Sequence, residues 1–426
     1  MLQHKIETLP EESLTGKLIR FTFIIFILLI PFQIYFDIYG DLSLTVITII
    51  LFVLLLLLSY SLGGPFQLLK IDHQIMLYIY LFMASMILSA VLANDALVSL
   101  KYCLKWLVLM TTYIMVYWSI IFLPDREDFF LILTVTASII TSIGIFFFVL
   151  GEEAFQEFLT TRAAALFIDP ATIRFGEINW FKGGGTGGTF FNRNWYAAFL
   201  GMILPFCLVR GILVKEKRLF WFGSSFLLIA GLLISLSRGG WLGFICFVFV
   251  SLLLFKKHYW KIIVVLFVGA IVTGVTVSII SPSLWASLLE RSATILVVDY
   301  RINRISIWSQ SLDALKSNPL IGIGVANNPL GSAHSNFLQI LIEQGIIGLT
   351  VFIMILLTLI QQLLVKVKLV EEIKDYVLGI SLLGTWIWFS VQGLLSTTLF
   401  NEKMFVTFAC LLAITTRFLE TERQEV

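Results

Sequence analysis

The chain has 426 residues, 59% of them hydrophobic and only 13% charged, with a mean hydropathy of +0.96. A soluble domain carries about 25% charged residues, so this composition excludes a water-soluble globular protein and indicates a polytopic membrane protein. The net charge of +2 says little about nucleic acid, and the chain has no basic tract of the kind a polyanion groove needs.

Chemistry based on cysteine or metal clusters also finds little support. Cys103, Cys207, Cys246 and Cys410 all sit in apolar runs, as small buried residues do. His4, His73, His258 and His334 are scattered, and no carboxylate cluster joins them. The expectation is therefore no metal and no cofactor.

The first twenty residues are polar and lack the early apolar core and small-residue cleavage site of a signal peptide. The first apolar run is thus expected to be a retained span. Runs of about 20 apolar residues place twelve spans, at 20–39, 43–61, 73–92, 102–123, 129–149, 194–213, 219–236, 239–255, 261–279, 338–362, 375–395 and 402–418. The predicted fold is all-α, one transmembrane domain over 1–426 without repeats.

With the N-terminus inside, the inner loops receive Lys70, Arg126, Lys215–Arg218, Lys256–Lys261, Lys366, Lys368 and Lys374. The outer turns near 40–42 and 93–100 have no Lys or Arg. This is the positive-inside bias, and it puts both termini in the cytoplasm. Two long outer segments, 150–193 and 280–337, hold most of the remaining polar chain. Function is expected there or where they meet the spans.

In the first segment, the glycine-rich tract Gly183–Gly188 lacks the GK[ST] ending of a nucleotide loop and lies on the wrong face for cytoplasmic ATP. It reads as a flexible turn. Asn192, Arg193 and Asn194 follow at the mouth of the sixth span. Arg238, in SLSRGG between the seventh and eighth spans, falls on the outer face. Two readings stand for it: a side chain snorkelling to the interface, or a cation kept there to hold an anion.

Between Asp299 and Lys316, Ile302, Ile305, Trp308, Leu312 and Leu315 recur at helical spacing, which predicts an interfacial amphipathic helix ending before Pro319. Arg301, Arg304 and Trp308 share one of its faces, and Arg291 is a weaker member of the group. These arginines either touch lipid headgroups or turn inward, where a guanidinium offers phosphate a fork of donors. His334 follows a Gly/Asn/Pro turn and precedes the tenth span, which Ser335 or Asn336 is placed to cap. The histidine either packs there or serves as a base or hydrogen-bond donor. Glu343, one of few acids inside a span, either pairs with an arginine of another span or is protonated and structural.

Together, GTFFNRNWYAAFL, SLSRGGWLGF, RINRISIW and AHSNFLQILIEQGIIGL resemble the bacterial O-antigen ligase and O-antigen polymerase superfamily in order, spacing and topology over roughly 180–360. The resemblance implies a metal-independent, inverting membrane glycosyltransferase with a multi-helix, GT-C-like fold. It implies a donor glycan on undecaprenyl diphosphate, taken on the outer face of the inner membrane. The acceptor is lipid A core for a ligase and a second lipid-linked glycan for a polymerase.

Position by position, the resemblance carries the diphosphate-binding arginine of the SxSR motif onto Arg238 and the loop arginine before tryptophan onto Arg304. It carries the catalytic histidine onto His334 and the following acid onto Glu343. Arg301 and Arg193 join the donor-binding set; Asn336, Asn194 and Trp308 support it. The family's segment at NRN is usually shorter and contains proline, so the contacts at Arg193 depart from the pattern. Outer segments 150–193 and 280–337 would then cover the active site. A polyprenyl-lipid or polysaccharide transporter is the competing class, expected to carry polar residues along a midplane path.

Overall fold

A computed structural model describes residues 13–32, 35–39, 42–71, 73–151, 157, 186–190, 192–254, 275, 278–279, 282–293 and 304–420. Its helices are α1 Leu14–Leu29, α2 Val46–Leu62, α3 Gln74–Val91, α4 Ala96–Ser119, α5 Glu127–Leu150, α6 Arg193–Leu213, α7 Arg218–Ile234, α8 Arg238–Leu254, α9 Pro282–Ala293, α10 Arg304–Leu315, α11 Asn336–Leu369, α12 Ile373–Leu395 and α13 Glu402–Glu420. Among the described residues, six helical segments are long and apolar enough to cross a membrane: α3, α4 with its continuation to Phe122, α5, α6, α11 and α12. Three shorter apolar helices, α2, α7 and α8, accompany them. The protein is an all-α, multi-pass membrane protein in this sense. The expected ninth span, 261–279, lies largely outside the described residues.

The first expected span, 20–39, is corrected. Helix α1 begins earlier, at Leu14, and ends at Leu29, just before Pro31. Strands β1 Tyr35–Tyr39 and β2 Leu42–Thr45 then pair antiparallel, with Tyr35 opposite Thr45. Proline in a helix interior removes a hydrogen bond and crowds the preceding turn, which favours an end there. The following YFDIYGDLSLT is rich in aromatic and β-branched residues around Gly-Asp, a composition that favours a hairpin.

Helix α6 is the central post, buried continuously from Tyr196 to Ile212. It packs against α12, α7, α8 and α5. Close approach comes from missing side chains. A Cβ on Gly201 of α6 would lie 2.2 Å from the Trp388 indole, and one on Gly243 of α8 would lie 2.5 Å from the same ring. Trp388 of α12 therefore fills a slot between two glycines, the small-residue packing that membrane helices use.

The bundle has two chemically different ends. At one, the base, buried Glu127 and Arg210 pair at 2.6 Å, Asp125 pairs with Lys374 at 2.8 Å, and Tyr117 bonds Glu420. The basic residues of 215–218 and 366–374 also belong to this end. At the other, the apex, lie the N-termini of α6, α8 and α11, capped by Asn192, Ser237 and Ser335.

Candidate functional site at the apex

Three helix N-termini meet there, each with its own cap. The Asn192 side chain accepts from the Asn194 N–H at 2.8 Å to start α6. Ser237, which precedes α8, accepts at its carbonyl from Trp241 N–H. Its hydroxyl donates to Asn194 Oδ1 at 2.8 Å, joining the two helix starts. Leu236, just before, has φ of 50°, a left-handed backbone that is costly for a bulky side chain. That turn lets α7 end and α8 begin within three residues, with Arg238 as the first residue of α8.

Gln392, in the last turn of α12, locks this corner. Its amide donates to Asn194 O at 2.8 Å and accepts from Trp388 Nε1 at 3.1 Å. The space above Gly239 is filled by Gln392 and Leu395. The segment after α12 then carries the connection to His334. Trp195 Nε1 donates to Thr397 O at 3.0 Å, and the Thr397 and Ser332 hydroxyls lie 2.6 Å apart. The His334 N–H donates to Ser332 Oγ at 3.2 Å.

His334 itself is half-buried with φ of 53°; histidine is among the residues that tolerate this region better. The turn ends the loop so that Ser335 can cap α11 through Leu338 N–H. Asn336 is fully buried; its amide donates to Thr398 Oγ1 at 3.1 Å and accepts from Leu399 N–H at 3.0 Å. Trp308 Nε1 donates to Ala333 O at 2.9 Å, which docks α10 beside the histidine.

The tenth expected span is a broken helix. Gly345 interrupts α11 with φ 67° and ψ −167°. Pro319 and Leu320 carbonyls accept the N–H groups of Ile346 and Ile347 at 3.0 and 3.2 Å. On the other side of the break, Ile323 and Gly324 N–H groups bond the Ile342 and Glu343 carbonyls, and Ser89 also donates to the Glu343 carbonyl. Non-helical backbone at membrane depth persists when its polar groups are satisfied in this way.

Among the described residues, then, Asn194, Trp308, His334, Asn336 and Glu343 join one hydrogen-bonded apex, and Arg193 and Arg238 are the first residues of the helices α6 and α8 at that apex. Arg301 and the side chains of Arg291 and Arg304 lie outside what is described, although Arg304 opens α10. Glu343 is 2% exposed and Oε1 takes bonds from Ala326 N–H at 3.1 Å and Gln339 Nε2 at 2.7 Å. Its hydrogen-bond partners are thus amides and not a guanidinium. Helix α10 turns Trp308, Ser311 and Leu315 toward the protein, while the expected stripe members Ile305 and Leu312 are exposed. The buried side follows the docking of Trp308 and not apolarity alone.

The described end of the glycine tract is packed, contrary to a flexible turn. Thr186 N–H donates to Ile234 O at 3.0 Å, and a Cβ at Gly188 would meet the Tyr196 ring at 2.9 Å. Gly183–Gly185 lie outside the described residues. Sequence reasoning passed over Gln339 and Gln392; an amide inside an apolar run was the available signal. No group of three metal-ligating side chains occurs among the described residues.

A profile of the family described as O-Antigen ligase matches residues 223–353. The match covers less than a third of the chain and spans Arg238, Arg304, His334 and Glu343, but not Arg193. Among curated proteins, none matches the chain.

Proposed function

We propose that the protein is an O-antigen ligase-like glycosyltransferase of the bacterial inner membrane. It moves a glycan from undecaprenyl diphosphate to a lipid-linked or surface glycan acceptor on the outer face. The observation that carries this reading is the apex: one hydrogen-bonded frame ties the starts of α6 and α8, with Arg193 and Arg238, to the loop bearing His334. The family match over 223–353 supports it.

Three helix starts share that frame, and their dipoles add positive potential where a diphosphate would sit. The acceptor hydroxyl oxygen forms a bond to the anomeric carbon as the bond from that carbon to the donor phosphate oxygen breaks. Attack opposite the leaving group inverts the centre. The hydroxyl proton passes to the His334 imidazole. The electron pair leaves with undecaprenyl diphosphate, whose charge Arg238 and Arg304 stabilise, assisted by Arg301 and Arg193. In this reading the charge of these guanidinium groups does the work of a metal. Asn194, Asn336, Trp308 and Glu343 hold the frame.

In this reading the chain is one transmembrane domain of twelve GT-C-like spans with both termini cytoplasmic, the basic base inside and segments 150–193 and 280–337 over the site. The test is purified protein with an undecaprenyl-diphosphate-linked glycan, with and without lipid A core. Transfer to the core supports the ligase reading. Extension of a second lipid-linked glycan instead makes it a polymerase of the same superfamily. His334→Ala and Arg238→Ala are expected to abolish transfer at near-normal folded yield; normal product from both variants overturns the assigned roles.

A further inference from the structure

The amide of Gln339 uses every hydrogen-bonding position it has. Its two N–H groups donate to Gly331 O at 3.3 Å and Glu343 Oε1 at 2.7 Å. Its oxygen accepts Ala333 N–H at 2.7 Å and the Asn328 amide at 3.5 Å. The side chain is 3% exposed and sits one turn into α11. It therefore grips both ends of the 331–333 segment, immediately before His334, from inside the bundle. Glu343, a turn further on, completes the clasp by holding Ala326 N–H. The same Ala333 whose N–H is gripped gives its carbonyl to Trp308, so α10 rests on this segment too.

We infer that Gln339, backed by Glu343, is a positioning residue for glycosyl transfer, fixing the backbone that sets the height and turn of His334. The inference rests on the catalytic role proposed for His334. An amide suits the task because it must donate toward a carboxylate and accept from a backbone N–H at once. A carboxylate at 339 can do only the second and would face Glu343. A loop displaced by about 1 Å is enough to cost on the order of 100-fold in rate.

Chemistry also supplies a rescue. In Q339E/E343Q the donor and acceptor exchange places: Gln at 343 donates to Glu at 339, which still accepts Ala333 N–H. The bond to Gly331 O is lost, and so is the bond from Ala326 N–H, which shares Glu343 Oε1 with Gln339. The experiment measures transfer kinetics of purified wild type, H334A, Q339E, E343Q and the Q339E/E343Q pair with the undecaprenyl-diphosphate glycan as donor. The expected result is a kcat for Q339E lowered on the order of 100-fold with donor KM within about threefold. The double variant is expected to recover at least tenfold of that loss. Folded yield of Q339E is checked by size-exclusion profile in detergent.

Wild-type kinetics in Q339E beside an inactive H334A would overturn the clasp and leave the catalytic reading standing. Wild-type activity in H334A would overturn the catalytic reading itself. A Q339E that fails to fold, or whose lost kcat the double variant does not restore, reduces Gln339 to a packing residue and also overturns the inference.

Discussion

Gly345→Ala tests whether the break in α11 is required by the loop docked on it. At φ 67° and ψ −167° a side chain is strained by about 1–3 kcal/mol. A Cβ would also stand 2.3 Å from the Leu320 carbonyl, which has no room unless 319–321 lifts away. Lifting it opens the bonds from Ile346 to Pro319 and from Ile347 to Leu320, about 0.5–1.5 kcal/mol each. The total is about 2–6 kcal/mol.

Gly331→Ala is the control. Its φ is 72°, yet nothing lies within 4 Å of a Cβ built there, so only the backbone term of about 1–2 kcal/mol applies. Equilibrium unfolding of both variants in detergent micelles measures the difference. Since the docked loop leads to His334, Gly345→Ala is also expected to lose transfer. The reasoning fails if Gly345→Ala unfolds within about 0.5 kcal/mol of wild type, or if the two variants cost the same.

Arg210→Met should destabilise by about 3–5 kcal/mol by leaving buried Glu127 without its 2.6 Å partner; adding Glu127→Leu should recover most of that in the same unfolding assay. Partial burial pushes the Asp125 carboxyl up, but hydrogen bonds from Lys374 and the Glu127 N–H pull it further down, below the ordinary carboxylate range. Its contribution is therefore present above the unfolded value of about 4 and is lost as pH falls through the lower folded value. Unfolding of wild type and Asp125→Asn from pH 7 to pH 2 should show a small, exposed-pair difference that is flat at neutral pH and vanishes at the acid end. Transfer in the presence of a chelator should continue at the untreated rate; strong inhibition reversed by a divalent ion would contradict the guanidinium mechanism.

Hydropathy carried the helices where the run was long and unbroken, as in 129–149 for α5 and 375–395 for α12. It failed at 35–45, where aromatic and β-branched residues are as apolar in a strand as in a span and only Pro31 and Gly-Asp marked the change. The break at Gly345 was hidden because a single glycine in an apolar run is common; what makes it a break is Leu320, distant in sequence and against its Cα. The turns holding Arg238 and His334 were visible as motifs. Their shared frame was not: Thr397 and Ser332 signal nothing, and the amide of Gln392 in its apolar run names no partner, until α12 is packed between α6 and α8.

The Trp388 slot has an evolutionary corollary. One indole occupies room vacated at two positions, Gly201 and Gly243, that are far apart in the chain. Enlarging either glycine ejects the ring, and shrinking the ring hollows out the junction of three helices. Neutral drift through single substitutions is closed at all three sites, so descendants of this chain keep the trio whole or replace it in concert.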